Sequence, residues 1–169
     1  MDLIKEIKDS GCYKKGQFIL KSGELSNHYI DLRKLINKPK LLKKVSSLVY
    51  EKVKDLNDFK IIGIPYGGMP HAYSLSLTYN IPCLLLRKEF KNHGTKQMVE
   101  GDYQEDDKII LIEDVLTTGT SIFESLKHLN KFNIEKIIVI VDRKEGGKEK
   151  LESYGFKVES IFTIDDFIN

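Results

Sequence analysis

Apolar residues fall along this chain in two rhythms. Between residues 38 and 54, Leu41, Leu42, Val45, Leu48, Val49 and Val53 recur at helical spacing, and Pro39 suits the first turn of that helix. Elsewhere they form short unbroken runs: "KIIGI" (60–64), "IPCLLL" (81–86), "KIILIEDV" (108–115), "KIIVIVDR" (136–143) and a last one near 156–163. Such runs read as strands buried on both faces. Helical patterns follow them at about 70–79, 121–131 and 148–154, and "PYGGMPH" reads as a glycine-rich turn. A strand–helix alternation of this kind predicts an α/β, doubly wound parallel sheet from about residue 38 to 164. The first 37 residues break that rhythm. They begin with an amphipathic helix, "MDLIKEIKDSG", and continue into an alternating stretch, "GQFILKSGELSNHYIDLRKL", that suggests a small hairpin or hood packed on the main sheet. No linker, repeat or low-complexity segment divides the chain, so residues 1–169 are expected to form one domain.

In open parallel sheets, ligands bind beyond the carboxyl ends of the strands. Four polar segments fall at such ends: "PYGG" (65–68), "RKEFKNHG" (87–94), "EDVLTTGTS" (113–121) and "DRKEGG" (142–147). Composition adds mainly exclusions. A net charge of +2 without a basic block gives no case for nucleic acid. The two cysteines, Cys12 and Cys83, have neither metal-ligand nor disulfide-framework spacing. No apolar run approaches a membrane span or a signal-peptide core, so the expected location is the cytoplasm.

The most informative stretch is "IILIEDVLTTGTSI" (109–122), where a branched apolar strand meets Glu113 and Asp114. Val115, Leu116, Thr117, Thr118, Gly119, Thr120 and Ser121 then lead into a helix. Backbone N–H groups and hydroxyls at such a start suit a phosphate, and Gly119 would let the backbone approach it closely. The two acids would repel that phosphate but suit sugar hydroxyls or a bridging cation. Phosphate at one end and hydroxyls at the other describe a ribose 5-phosphate. A plain Thr/Ser cap would explain Thr120 or Ser121 but not the acids. A Walker loop is ruled out by the spacing and the missing lysine.

This stretch resembles the phosphoribosyl pyrophosphate (PRPP) signature of the type I phosphoribosyltransferases. Three further stretches resemble orotate phosphoribosyltransferases: the hood "GQFILKSGELSNHYIDLR" (16–33), the basic loop "RKEFKNHGTKQMVEG" (87–101), and "DRKEGGKEKLESYG" (142–155). In these motifs the chain is closer to the domain fused in bifunctional UMP synthases than to many bacterial forms. The resemblance implies the type I phosphoribosyltransferase fold, a central parallel sheet with helices on both faces and an N-terminal hood.

It also implies an activity: magnesium-dependent transfer of phosphoribose from PRPP to orotate, giving orotidine 5′-monophosphate in pyrimidine (UMP) biosynthesis. By resemblance, Lys21, Tyr66, Arg87, Lys88, Lys91 and His93 contact PRPP together with residues 113–121. Lys21, Tyr29, Ile30, Thr117 and Arg143 form the orotate site. Lys88, Lys91, His93 and Asp114 carry the catalysis. Mg²⁺ is expected on the PRPP oxygens with no direct protein ligand, and a homodimer is expected to share the basic loop between subunits.

The chemistry agrees with the residues. Arg87, Lys88, Lys91 and His93 gather positive charge where a pyrophosphate would leave, and a guanidinium such as Arg143 matches a carboxylate as a fork. Taken alone, the basic loop reads as a solvated charge run, and Arg143 as a partner of Asp142 or Glu145. One departure stands out: many family members carry Tyr-Lys where this chain has Tyr66-Gly67, so no lysine contact carries over. Two other readings remain: transfer to a purine or uracil, or a PRPP-sensing regulator on the same fold.

Overall fold

The computed structural model describes residues 2–19, 25–89 and 97–168. Helix α1 (Leu3–Asp9) opens it, with the Asp2 carboxylate accepting the Ile4 N–H at 3.0 Å. Strands β1 (Tyr13–Ile19) and β2 (Leu25–Ile30) pair antiparallel as a separate two-stranded hairpin, which is the expected hood. A 3-10 turn over Leu32–Asn37 then leads into α2 (Pro39–Glu51), where Pro39 sits in the first turn.

The main sheet follows: β3 (Phe59–Gly63), α3 (Gly68–Tyr79), β4 (Cys83–Leu86), β5 (Val99–Glu100), β6 (Lys108–Leu116), α4 (Thr120–Leu126), β7 (Asn133–Asp142), α5 (Gly147–Ser153), β8 (Val158–Thr163) and α6 (Asp165–Ile168). Strand order is β5-β4-β3-β6-β7-β8, parallel throughout except for the short edge strand β5.

The unbroken apolar runs now have their reason. Ile61, Ile110, Ile112, Ile138 and Ile140 face the core shared with α1, α2 and α3. Their immediate neighbours Ile62, Ile109, Leu111, Ile137 and Val139 face the second core, under α4 and α5. Successive side chains point to opposite faces of a strand, so covering both faces requires every position to be apolar. Each fully buried branched side chain contributes about 1.5–3 kcal/mol. The hood joins the first core through Cys12 and Ile30, and Tyr13 packs its ring 5.9 Å from that of Phe167 in α6.

Several boundaries differ from the sequence reading. Helix α4 ends at Leu126 instead of running to 131, because His128, Leu129 and Phe132 donate to carbonyls three residues back and swing Leu129 and Phe132 into the core. Strand β7 starts at Asn133, three residues early, while β8 starts at Val158, after the turn at Gly155. The hydrophobic pattern gave no sign of β5 or α6, which are too short to show a period.

Candidate active site

Strands β3 and β6 lie side by side, but the chain leaves β3 toward β4 and leaves β6 toward β7, on opposite sides. Their carboxyl ends therefore open a crevice at a switch point of the sheet. The turn after β3 forms its floor. A Cβ on Gly67 would sit 2.0 Å from Asp114 Oδ2, and one on Gly68 would sit 2.0 Å from the Ile112 carbonyl oxygen. Glycine is required at both positions for the turn to lie against β6, and the Asp114 carboxylate rests directly on the bare Gly67 backbone.

Strand β6 runs on to Leu116, so the two acids stand inside its last turn of pleat instead of at its end. They differ in burial. Glu113 is buried, with Oε1 accepting the Asp114 N–H at 3.0 Å. Asp114 is half-buried and faces Gly67. Arg33, ion-paired to Asp31 at 2.7 Å, has its pKa raised mainly by that carboxylate, with a small contribution from Asp114. Beneath Asp114 lies His71 of α3, fully buried with neither ring nitrogen hydrogen-bonded. Burial lowers its pKa to about 4, against the opposing pull of Asp114, so the ring is neutral near pH 7.

Past Leu116 the chain turns through Thr117 to Ser121. Gly119 adopts φ 79°, and the Thr118 and Thr120 hydroxyls lie 2.9 Å apart. Thr118, Thr120 and Ser121 are exposed toward solvent. The Thr117 carbonyl accepts the Gly147 N–H at 3.0 Å, and a Cβ on Gly147 would fall 2.2 Å from that oxygen. The start of α5 is thus pressed onto the threonine loop. Because α4 has only seven residues, an anion here would be held by loop amides and hydroxyls more than by a helix dipole.

At the other rim, the Arg87 guanidinium lies against Glu100 of β5, with Nε 2.8 Å and Nη2 2.7 Å from Oε1. The Lys88 ammonium sits 5.2 Å from the centre of the exposed Tyr66 ring. A cleft of about 280 Å³ opens between these residues, with Met69 and Leu86 on its walls. Arg143 follows β7 and is nearly covered: its side chain is 7% exposed. Its Nη2 donates to Ser26 Oγ of β2 at 2.9 Å, and its Nε lies 2.8 Å from Glu145 Oε1. Asp142 is not its partner, because the Asp142 carboxylate accepts the Lys144 N–H at 2.8 Å and shapes the turn.

Comparison with known proteins narrows the identity. Residues 32–168 match the phosphoribosyl transferase domain family. An orotate phosphoribosyltransferase of Pyrococcus horikoshii is 43% identical, over 98% of this chain and 91% of its own. One from Methanocaldococcus jannaschii is 38% identical, over 97% and 94%. A crystal structure of orotate phosphoribosyltransferase from Aeropyrum pernix superposes with a TM-score of 0.86 at 35% identity, covering 99% of this chain and 96% of that one. The chain belongs to the orotate phosphoribosyltransferase family.

Within that family frame, the expected site residues divide by where the fold puts them, with Gly119 and Arg143 placed as above. Tyr66, Arg87, Lys88, Asp114, Thr117, Thr118, Thr120 and Ser121 have side chains at the crevice or its rim. Val115, Leu116 and Ile30 put their side chains into the cores, which leaves only their backbone for a ligand, and Glu113 is buried. Tyr29 stacks on Phe18, ring centres 5.3 Å apart, within the hood. Lys21, Lys91 and His93 lie outside the described residues. Ser26 and Arg33 take part in the site's geometry without being singled out for it beforehand, while the Arg143–Glu145 pair is one that the sequence reading offers. The signal for Arg33 was present in "YIDLR", whereas Ser26 meets Arg143 only through a contact spanning 117 residues.

Proposed function

We propose that this chain transfers 5-phosphoribose from PRPP to N1 of orotate, releasing pyrophosphate and orotidine 5′-monophosphate, with Mg²⁺ on the PRPP oxygens. The observation that carries the reading is the pairing of two unlike ends in one crevice. A hydroxyl- and amide-rich loop at 117–121 suits a phosphate, and a nearly buried guanidinium, Arg143, suits a carboxylate. The full-length similarity to enzymes named orotate phosphoribosyltransferase supports it.

On this reading, Thr117 to Ser121 hold the 5′-phosphate while Asp114 faces the ribose hydroxyls and stabilises positive charge growing on the ring as the C1–O bond breaks. Arg87, Lys88, Lys91 and His93 offset the charge gathering on the departing pyrophosphate. Arg143 orients the base so that N1 meets C1, and the orotate site is completed by Lys21, Thr117 and the backbone of Tyr29 and Ile30. The magnesium would be carried mainly by the substrate's own oxygens. The half-buried Asp114 carboxylate is the acid suited to lie near it. Two such chains would form a homodimer, each lending its basic loop to the other.

The decisive assay is loss of orotate absorbance with PRPP and Mg²⁺. Wild type should turn over, and Lys91→Ala should fall by roughly two to three orders of magnitude in kcat. A protein that binds PRPP yet consumes no orotate would sink the acceptor assignment.

A further inference from the structure

Arg143 is held by two neighbours before any ligand arrives. A guanidinium carries five N–H donors, one on Nε and two each on Nη1 and Nη2. Ser26 Oγ accepts one of them, 2.9 Å from Nη2, and Glu145 Oε1 lies 2.8 Å from Nε. The Nε–H is not aimed at the Glu145 oxygen and forms no hydrogen bond, so this contact is one of charge and proximity. Among the described residues Nη1 has no partner.

Ser26 is itself committed. Its hydroxyl donates to the His28 carbonyl at 2.9 Å, and its oxygen accepts the His28 N–H at 3.2 Å. With its only proton spent, Ser26 Oγ can act on Arg143 solely as an acceptor. The His28 ring is tied in turn to the Tyr13 hydroxyl, 2.7 Å away across the hairpin. The hood therefore presents a fixed lone pair to the arginine.

We propose that Ser26 and Glu145 are positioning residues for base selection. They hold the guanidinium in place, through Nη2 and beside Nε, so that Nη1 is left to meet a ligand. This rests on the orotate reading above. The Glu145 carboxylate lowers the cost of keeping a nearly buried guanidinium while the site is empty. It also repels a second carboxylate from the Nε side, so the substrate's meets the guanidinium at Nη1, which fixes the base's orientation. A base lacking a carboxylate leaves Nη1 facing nothing and is rejected for it.

The test compares steady-state kinetics of wild type, Ser26→Ala, Glu145→Ala and Glu145→Gln with orotate, with PRPP and with uracil as the neutral acceptor. Both alanine variants should raise the orotate KM roughly tenfold, lower the orotate-over-uracil preference by a similar factor, and leave the PRPP KM within about twofold. Glu145→Gln, nearly isosteric but neutral, should raise the orotate KM about as much as Glu145→Ala, because the contact is one of charge and not a hydrogen bond. The proposal is overturned if the alanine variants leave the orotate KM and the preference unchanged, if the PRPP KM rises in step, or if the glutamine variant, folded by its thermal midpoint, keeps the wild-type orotate KM. Wild type failing to use orotate at all is a separate result, needs no variant, and defeats the functional reading itself.

Discussion

The two ends of the crevice are built on different principles. The end proposed for the phosphate, Thr117 to Ser121, is a continuous segment of backbone amides and hydroxyls with no charged side chain. The end proposed for the base is a charged side chain, Arg143, touched by the hood 117 residues away and by Glu145 two residues on. A local loop can be preorganised by its own sequence, at the cost of recognising only what backbone recognises. A nearly buried cation must be held by partners, and on the proposed reading those partners let the site discriminate among planar bases.

The sharpest way to separate the ends is to remove the cation. Arg143→Ala should raise the orotate KM by roughly 10²–10³-fold, the cost of truncating one partner of a desolvated charge pair, while the PRPP KM stays within about threefold. Equal rises in both constants would mean that the two ends are one cooperative unit. Gly67→Ala attacks the ribose side. A Cβ there would meet the Asp114 carboxylate at 2.0 Å, so the acid must shift by about an ångström, and kcat should fall roughly 10²-fold. Combined with Asp114→Asn, the loss should be far less than additive, because both changes act through one carboxylate. Gly147→Ala strikes the junction. Its Cβ would lie 2.2 Å from the Thr117 carbonyl, a backbone clash worth about 1–3 kcal/mol of stability, and it should raise both KM values modestly.

This contrast also explains what could be read from the chain. The parallel sheet was legible because burial on both faces demands unbroken runs such as "IILI" and "IIVIV", and the hood because its alternation differs from theirs. The phosphate end was legible because hydroxyls, glycine and acids stand next to one another. Three features were not. The burial of Glu113 beside a half-buried Asp114 goes with β6 continuing to Leu116, which depends on pairing with Asp142 of β7. The Ser26–Arg143 contact is tertiary and leaves no local trace. Gly67 looked like a lost lysine, yet its missing side chain is what admits Asp114.

The smallest expected effect concerns the ribose end alone. At the base end the buried charge is matched by Glu145, but beneath Asp114 the fully buried His71 has no hydrogen-bond partner on either nitrogen. Its pKa falls from an ordinary 6.5 to about 4, through burial first, with the charge of Asp114 pulling partly back. The unfolded chain therefore binds a proton that the folded chain refuses between those values, and stability must rise with pH across that window. No penalty exists above about pH 6.5. Below it the penalty grows toward about 3 kcal/mol near pH 4, taken at 1.36 kcal/mol per pKa unit. His71→Leu should flatten the urea midpoint between pH 6.5 and 4 relative to wild type, and at pH 7 should stabilise the fold by about 1–2 kcal/mol by removing two unpaired polar atoms. Carboxylates titrating in the same range act on both proteins alike, so the difference isolates the imidazole. Parallel pH profiles would mean that the ring takes up a proton in the folded state, and the ribose end would then hold a charge pair as the base end does.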